Sequence, residues 1–277
     1  LGIPAEPLFR SSYSGSEDIT DNTTPETQTP TGNGVVELSG TLGSKGEMTR
    51  AVDAEGTGTW DVNDKFAVYY ETTDGHATAV ATVTSVNGDG SANFTALLKD
   101  PKKGNNSVKL VSPASAHDGE GGFKTDGLMN QGGTLEYINK NGLDIETATA
   151  TMNVADAKAS LTTSVTMQPQ VCLYKMDMAY YDYQSFANII TKLEITNDKN
   201  QSYTITPAAP TNSFTIAMLP VNGATFTFTA TTTEDHGIFT KQEGMKLADC
   251  TADNVGDVFD KDGNIYKVSI GPGALYT

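Results

Sequence analysis

The chain has 277 residues, with 34 Asp and Glu against 18 Lys and Arg and a formal net charge of -16. That charge repels phosphate backbones and anionic lipid surfaces, so nucleic acid is excluded as an expected partner. Charged residues make up only 19% of the chain. A Thr-, Ala-, Gly- and Val-rich balance of this kind suits short pleated strands better than long amphipathic helices, and the length suits two domains with separate cores.

No run of about 18 apolar residues occurs, so no membrane-spanning helix is expected. The sequence opens at Leu1 without an initiator Met, a charged n-region or an apolar h-region, which suits a secreted protein whose signal peptide has been removed. The two cysteines, Cys172 and Cys250, are too few for a disulfide framework and lack CxxC spacing. Neither their pairing nor the redox compartment follows from them.

Residues 1–34 form a first unit. From Ser11 to Gly34 the chain is almost wholly Ser, Thr, Asn, Asp, Gly and Pro, with too little apolar surface to offset ordering entropy, so a flexible tether is expected. Val35 to Leu42 (VVELSGTL) then places Val36, Leu38 and Leu42 at even spacing, the period of a half-buried strand. Strand and turn alternate from there: Lys65 to Tyr70, Ala77 to Val86, the turn Asn87-Gly88-Asp89-Gly90, and Ala92 to Leu98.

Further strands are predicted at Ser107–Ser112, Ala148–Val154, Val171–Tyr174, Ile190–Thr196, Ser202–Thr206, Ser213–Leu219, Thr225–Thr231 and Ile265–Ile270. In the Thr225–Thr231 run, Phe226 and Phe228 share one face and the threonines the other. Ala155–Ser164 has the composition for a turn or two of helix, though with little apolar face. A dozen short strands of this kind fit two β-sandwiches better than one closed barrel, with a boundary at Gln168-Pro169 that separates 35–169 from 170–277.

Catalytic chemistry lacks its scaffolds, and the chain reads as a non-enzyme without a cofactor. His76, His117 and His236 show neither HxH nor HExxH spacing and neighbour Asp or Gly in turn-like sequence, where surface or turn positions are expected. No GxSxG elbow, Walker A loop or helix-opening GxGxxG is present. Asp260-Lys261-Asp262-Gly263-Asn264 begins like a calcium loop, but its twelfth position is Gly271 rather than Glu, so a turn is the simpler reading and no metal site is assigned. The aromatic cluster Tyr174, Tyr180, Tyr181, Tyr183 and Phe186 is a core or loop anchor by composition. Tyr180, Tyr181 and Tyr183 are also a candidate recognition patch for a host glycan or protein.

The ordered segments Trp60–Tyr70 (WDVNDKFAVYY), Leu135–Val154 (LEYINKNGLDIETATATMNV), Met218-Leu219-Pro220 and Asp262–Ile270 (DGNIYKVSI) resemble the fimbrillin-like family of Bacteroidales surface proteins, over Val35 to Ile270. That resemblance implies two transthyretin-like β-sandwich domains in tandem and lipoprotein export to the outer membrane. It further implies pilus assembly by strand exchange after cleavage at an arginine. The partners it implies are other pilus subunits, or the protein itself head to tail, and a maturation protease.

The matching site here is Arg50-Ala51, and Arg50 is the only arginine besides Arg10. Removing Val35–Leu42 would open a groove of unpaired backbone groups and apolar sites that a neighbour's strand fills, with Val36, Leu38 and Leu42 marking the exchangeable strand. Only Gly271–Thr277 follow the last predicted strand, a short tail that suits a tip or accessory subunit better than a shaft subunit. The alternative is a surface-tethered binding module that never polymerises.

Overall fold

A computed structural model describes residues 34–45, 58–177, 190–233, 238–245, 268–270 and 275–276. The described chain is all-β. Its first half contains β1 (Val35–Leu42), β2 (Lys65–Thr72), β3 (Gly75–Val86), β4 (Ala92–Lys99), β5 (Gly104–Ser112), β6 (Asn130–Gln131), the helix α1 (Leu135–Asn141), β7 (Glu146–Val154), β8 (Lys158–Leu161) and β9 (Gln168–Pro169). The second half contains β10 (Cys172–Asp177), β11 (Ile190–Asn197), β12 (Ser202–Ile205), β13 (Ser213–Met218), β14 (Val221–Ala224), β15 (Phe226–Thr232), β16 (Ile238–Met245), β17 (Val268–Ile270) and β18 (Leu275–Tyr276).

The first sheet runs β5-β2-β3-β4-β1-β8-β7-β9, and β5 also pairs with β7 over nine residues, Gly104↔Val154 to Ser112↔Glu146. Its ends therefore meet, and the seven strands from β5 round to β7 form a closed ring. The expectation of sandwiches in place of one barrel holds only in that the ring does not take in the whole chain. The β5–β7 pairing that closes it joins residues some forty positions apart and leaves no local signature.

Alternation along the strands decides what fills the ring. Phe66, Val68 and Tyr70 of β2, Ala92, Phe94, Ala96 and Leu98 of β4, and Met152 and Val154 of β7 all point inward and are buried in one cluster with Val36, Leu38, Leu42 and Trp60. Trp60 is 3% exposed, as expected for the single tryptophan. The odd residues of β2 and β5 face the other way, and Ala67 and Val111 belong to a second cluster with Leu193, Ile195, Phe214 and Phe226.

That second cluster also draws in Leu128, Ile138, Leu143 and Ile145 from the first half of the chain. Thr134 caps α1 by accepting the Tyr137 N–H, and Gly142 ends it with φ 61. β6 pairs in parallel with β12. Buried Gln131 donates to the Leu128 and Ala217 carbonyls, each at 2.7 Å, and accepts the Ala217 N–H at 2.9 Å. The chain thus visits the second core between β5 and β7, returns to the ring, and leaves it again between Met167, in the first cluster, and Val171, in the second.

The helical turns expected within Ala155–Ser164 are absent. Lys158–Leu161 is β8, because Ala159 alternates into the ring interior and the strand completes the sheet between β1 and β7. In β15, Phe226 and Phe228 are buried and Thr227 and Thr229 half-buried, the division predicted from their alternation. Among the described residues no helix is long and apolar enough to cross a membrane.

Candidate functional site

β1 covers the residues predicted from its period-2 pattern. It is an inner strand of the ring, antiparallel to β4 along its whole length from Val35↔Lys99 to Leu42↔Ala92. On its other edge it runs parallel to β8 at Glu37–Ser39, and a bridge from Leu42 to Val165 carries that pairing further. Around the bridge Gly43 donates its N–H to the Val165 carbonyl at 2.7 Å, and Val165 donates to the Thr41 carbonyl at 3.1 Å.

Val36 is 8% exposed, and Leu38 and Leu42 are fully buried. At roughly 1.5–3 kcal/mol for each buried aliphatic side chain, these three contribute on the order of 5–9 kcal/mol, before any ladder hydrogen bond is counted. Gly40 marks the tightest approach. A Cβ built there would lie 2.8 Å from Leu161 Cγ and from two carbons of the Phe94 ring, so any other residue would force those side chains to shift.

Past β1 the chain is held by charge. The Lys45 ammonium lies 4.1 Å from the centroid of the Trp60 ring and 4.0 Å from the Asp64 carboxylate, and its side chain is fully buried although its backbone is partly exposed. Trp60 in turn donates its indole N–H to the Gly43 carbonyl. Asp144 and Glu146 are buried, 3% and 1% exposed, and Glu146 feels the charges of Lys45, Asp144 and Asp64. Neither Glu146 oxygen has a hydrogen-bond partner among the described residues. Burial pushes the Glu146 carboxyl up to about 8, and the negative charges of Asp144 and Asp64 add to the rise, against the pull of Lys45.

The origin of this pocket is in the alternation of β7. Glu146 has the same parity as inward-facing Met152 and Val154, while Ile145 faces the second core. The sequence signal was available in Leu143-Asp144-Ile145-Glu146, where carboxylates and aliphatics alternate, and in the lysine three residues after Leu42. It was missed because an isolated acidic residue near a strand end is ordinarily read as a solvated one.

The proteolytic candidates Arg50 and Ala51 and the aromatic candidates Tyr180, Tyr181 and Tyr183 lie outside the described residues, as do His236, Cys250 and the Asp260–Asn264 segment. Tyr174, expected as part of that aromatic cluster, is buried in the second core. His117, expected at a surface or turn position, is instead buried in an isolated bridge to Phe123, its ring 5.7 Å from that of Tyr69, whereas His76 is exposed and stacks on Tyr69 at 5.0 Å. Burial pushes the Cys172 thiol well up, out of the reactive range.

Among the described residues no three His, Cys, Asp or Glu side chains are placed to hold a metal ion. A shallow groove of about 440 Å³ runs beside β7, lined by Ser107, Thr149, Thr151 and Thr162–Thr166. Its walls carry no aromatic or charged side chain, so it lacks the stacking platform that glycan recognition uses.

No protein-family profile matches the chain, and no curated protein matches it. Solved structures do. A candidate cell adhesion protein from Bacteroides uniformis is similar with a TM-score of 0.41 and 15% identity, over 78% of this chain and 86% of that one. The tip fimbrial protein Mfa3 from Porphyromonas gingivalis, with a C-terminal truncation, is similar with a TM-score of 0.36 and 11% identity, over 86% and 92%. A fimbrial assembly protein from Parabacteroides distasonis is similar with a TM-score of 0.38 and 12% identity, over 75% and 84%. The structural neighbours are thus Bacteroidales fimbrial and cell adhesion proteins at low sequence identity, and these three are described by fimbrial or adhesion roles rather than as enzymes.

Proposed function

We propose that this protein is a structural or accessory subunit of a fimbria at the bacterial cell surface, serving adhesion, with β1 as a replaceable strand. In this reading a maturation protease hydrolyses the Arg50–Ala51 peptide bond. The segment that carries Val36, Leu38 and Leu42 then gives way to a strand from another subunit. Residues 35–169 and 170–277 act as two transthyretin-like sandwich domains, and the whole is exported as an outer-membrane lipoprotein.

The observation that supports it best is the position of β1. It precedes every other described strand in the chain yet lies inside the sheet, between β4 and β8. Once the chain is cut at Arg50, no covalent link joins β1 to the other described strands, all of which follow the cut, so it can leave without unthreading them. Its departure would expose two strand edges and three apolar sites, a vacancy that β-augmentation relieves. The same contacts hold the cut strand in place until a competitor arrives, so association is slow in clipped protein and faster where the fold is mildly destabilised.

Limited digestion of the folded protein with an Arg-specific protease, followed by mass spectrometry and size-exclusion chromatography with and without low denaturant, tests this. The reading expects residues 1–50 to be released as one piece and multimers to form. Resistance at Arg50, or a body that stays monomeric after the strand has left, would favour the surface-tethered binding module instead.

A further inference from the structure

We infer that the segment 118–122 is an acid-released latch, held shut by the neutral ring of His117 and let go when that ring takes a proton. What it covers is an aromatic flank of the second core. The segment lies wholly after Arg50 and uses no residue of β1, so the inference is independent of strand replacement.

In His117-Asp118-Gly119-Glu120-Gly121-Gly122-Phe123, successive backbone amides turn back onto the first two side chains. Gly119 and Gly121 point their N–H groups at Nδ1 and Nε2 of His117, at 3.2 and 3.1 Å. Glu120 and Gly122 donate to Oδ1 of Asp118, at 2.7 and 2.9 Å. Positive φ at Gly119 and Gly121, 96 and 83, allows this alternation. A neutral imidazole has one acceptor nitrogen, so either tautomer accepts from one of the two glycines, and the imidazolium ring accepts from neither. The added proton finds its acceptor in Asp118 Oδ1, 4.0 Å from Nε2, and competes there with Glu120 and Gly122. One proton thus acts on every amide that holds the segment to the two side chains.

The ring is buried against Tyr69 of β2, on which His76 of β3 stacks. Lys109 of β5 approaches the segment at Gly121, and Asp118, Glu120 and Lys124 belong to the segment and its flank. Burial holds the His117 ring below the ordinary histidine value of 6.5; Asp118 pulls it up, and Lys124 adds to the lowering. The closed segment therefore binds the proton less well than the open one. Its stability is complete above about pH 6.5 and is lost as pH falls below it. Opening has a definite consequence. Ala116 is buried in the second core and Phe123 packs against it, with the Lys124 N–H donating to the Ala116 carbonyl at 2.7 Å and a bridge from His117 to Phe123. A Cβ at Gly121 would stand 2.7 Å from the Tyr69 ring. Release of the segment uncovers Tyr69 and Phe123, both half-buried while it is shut.

The test uses the full, uncut chain. Hydrogen exchange is followed by mass spectrometry at about pH 7.5 and about pH 5, with protection corrected for the intrinsic pH dependence of exchange, and the imidazole signals are titrated by NMR. Protection of peptides that span 117–124 should fall about fivefold or more in acid, the worth of one net hydrogen bond, while β4 stays unchanged. His117→Gln, which cannot take the proton, should abolish the fall, and His76→Gln should keep it. The His117 ring, assigned by elimination with His76→Gln and His236→Gln, should titrate below 6.5, and the Gly119 and Gly121 amide signals should follow the same midpoint. Protection that does not change with pH, an equal fall in His117→Gln, or a fall lost in His76→Gln overturns the latch. Should His117→Gln fail to fold, the native protein decides: a His117 midpoint at or above 6.5, or glycine amides that follow a different midpoint, overturns it as well.

Discussion

The indole N–H of Trp60 donates to the carbonyl of Gly43 at 3.0 Å, so the one tryptophan of the chain grips the residue that follows β1. Its ring also forms one wall of the Lys45 pocket and packs 6.3 Å from the Phe66 ring. Trp60→Phe keeps an aromatic wall but removes the donor and some volume. We expect a loss of about 1–3 kcal/mol in urea unfolding. Amide exchange should quicken at Val36–Leu42 and stay unchanged in β11. Uniform quickening across both sheets would mean that Trp60 supports the fold at large and not the end of β1.

Gly40→Ala adds a single carbon where Leu161 and Phe94 already stand at 2.8 Å. A cost of about 1–3 kcal/mol is expected from this overpacking. Gly88→Ala is the control, since a Cβ there meets nothing within 4 Å. Chemical denaturation of the two variants side by side checks the difference, and equal midpoints would show that β1 is not closely packed at Gly40.

Glu146 gives a pH signature. Its carboxyl is raised by burial from 4.5 to about 8 in the folded protein, so between those values the folded state holds a proton that the unfolded state has released. The stability that this group contributes is therefore complete below about pH 4.5 and is lost as pH rises towards 8, with a slope of up to about 1.4 kcal/mol per pH unit. Glu146→Gln removes the titration. The stability difference between variant and native protein should shift in the variant's favour from pH 5 to pH 8, read from urea midpoints at several pH values. A difference that stays constant with pH would place Glu146 in contact with solvent.

Much of the sheet was legible because half-buried strands declare themselves locally. Val36, Leu38 and Leu42 have the period of a strand, and Val35–Leu42 is β1. Phe66 and Val68 mark β2, which extends two residues past the predicted Tyr70. What stayed hidden depends on partners distant in sequence. β8 has only Ala159 to bury, and Lys158–Leu161 is a strand because β1 and β7 flank it. The visit of Leu128–Ile145 to the second core is fixed by Gln131 bonding to Ala217, 86 residues away. The Lys45 pocket combines residues from three separate segments, and no one of them carries its signature alone.

The central claim, that β1 must leave for subunits to join, is tested most directly by tying it down. Ser39 and Thr95 are opposite one another on β1 and β4, and a Ser39→Cys, Thr95→Cys pair in a Cys250→Ser background allows a reducible cross-link between them. After Arg-specific cleavage, the oxidised variant should remain monomeric by size exclusion in low denaturant, while the same sample treated with dithiothreitol should form multimers as the native protein does. Multimers that form equally well with the cross-link intact would contradict the account.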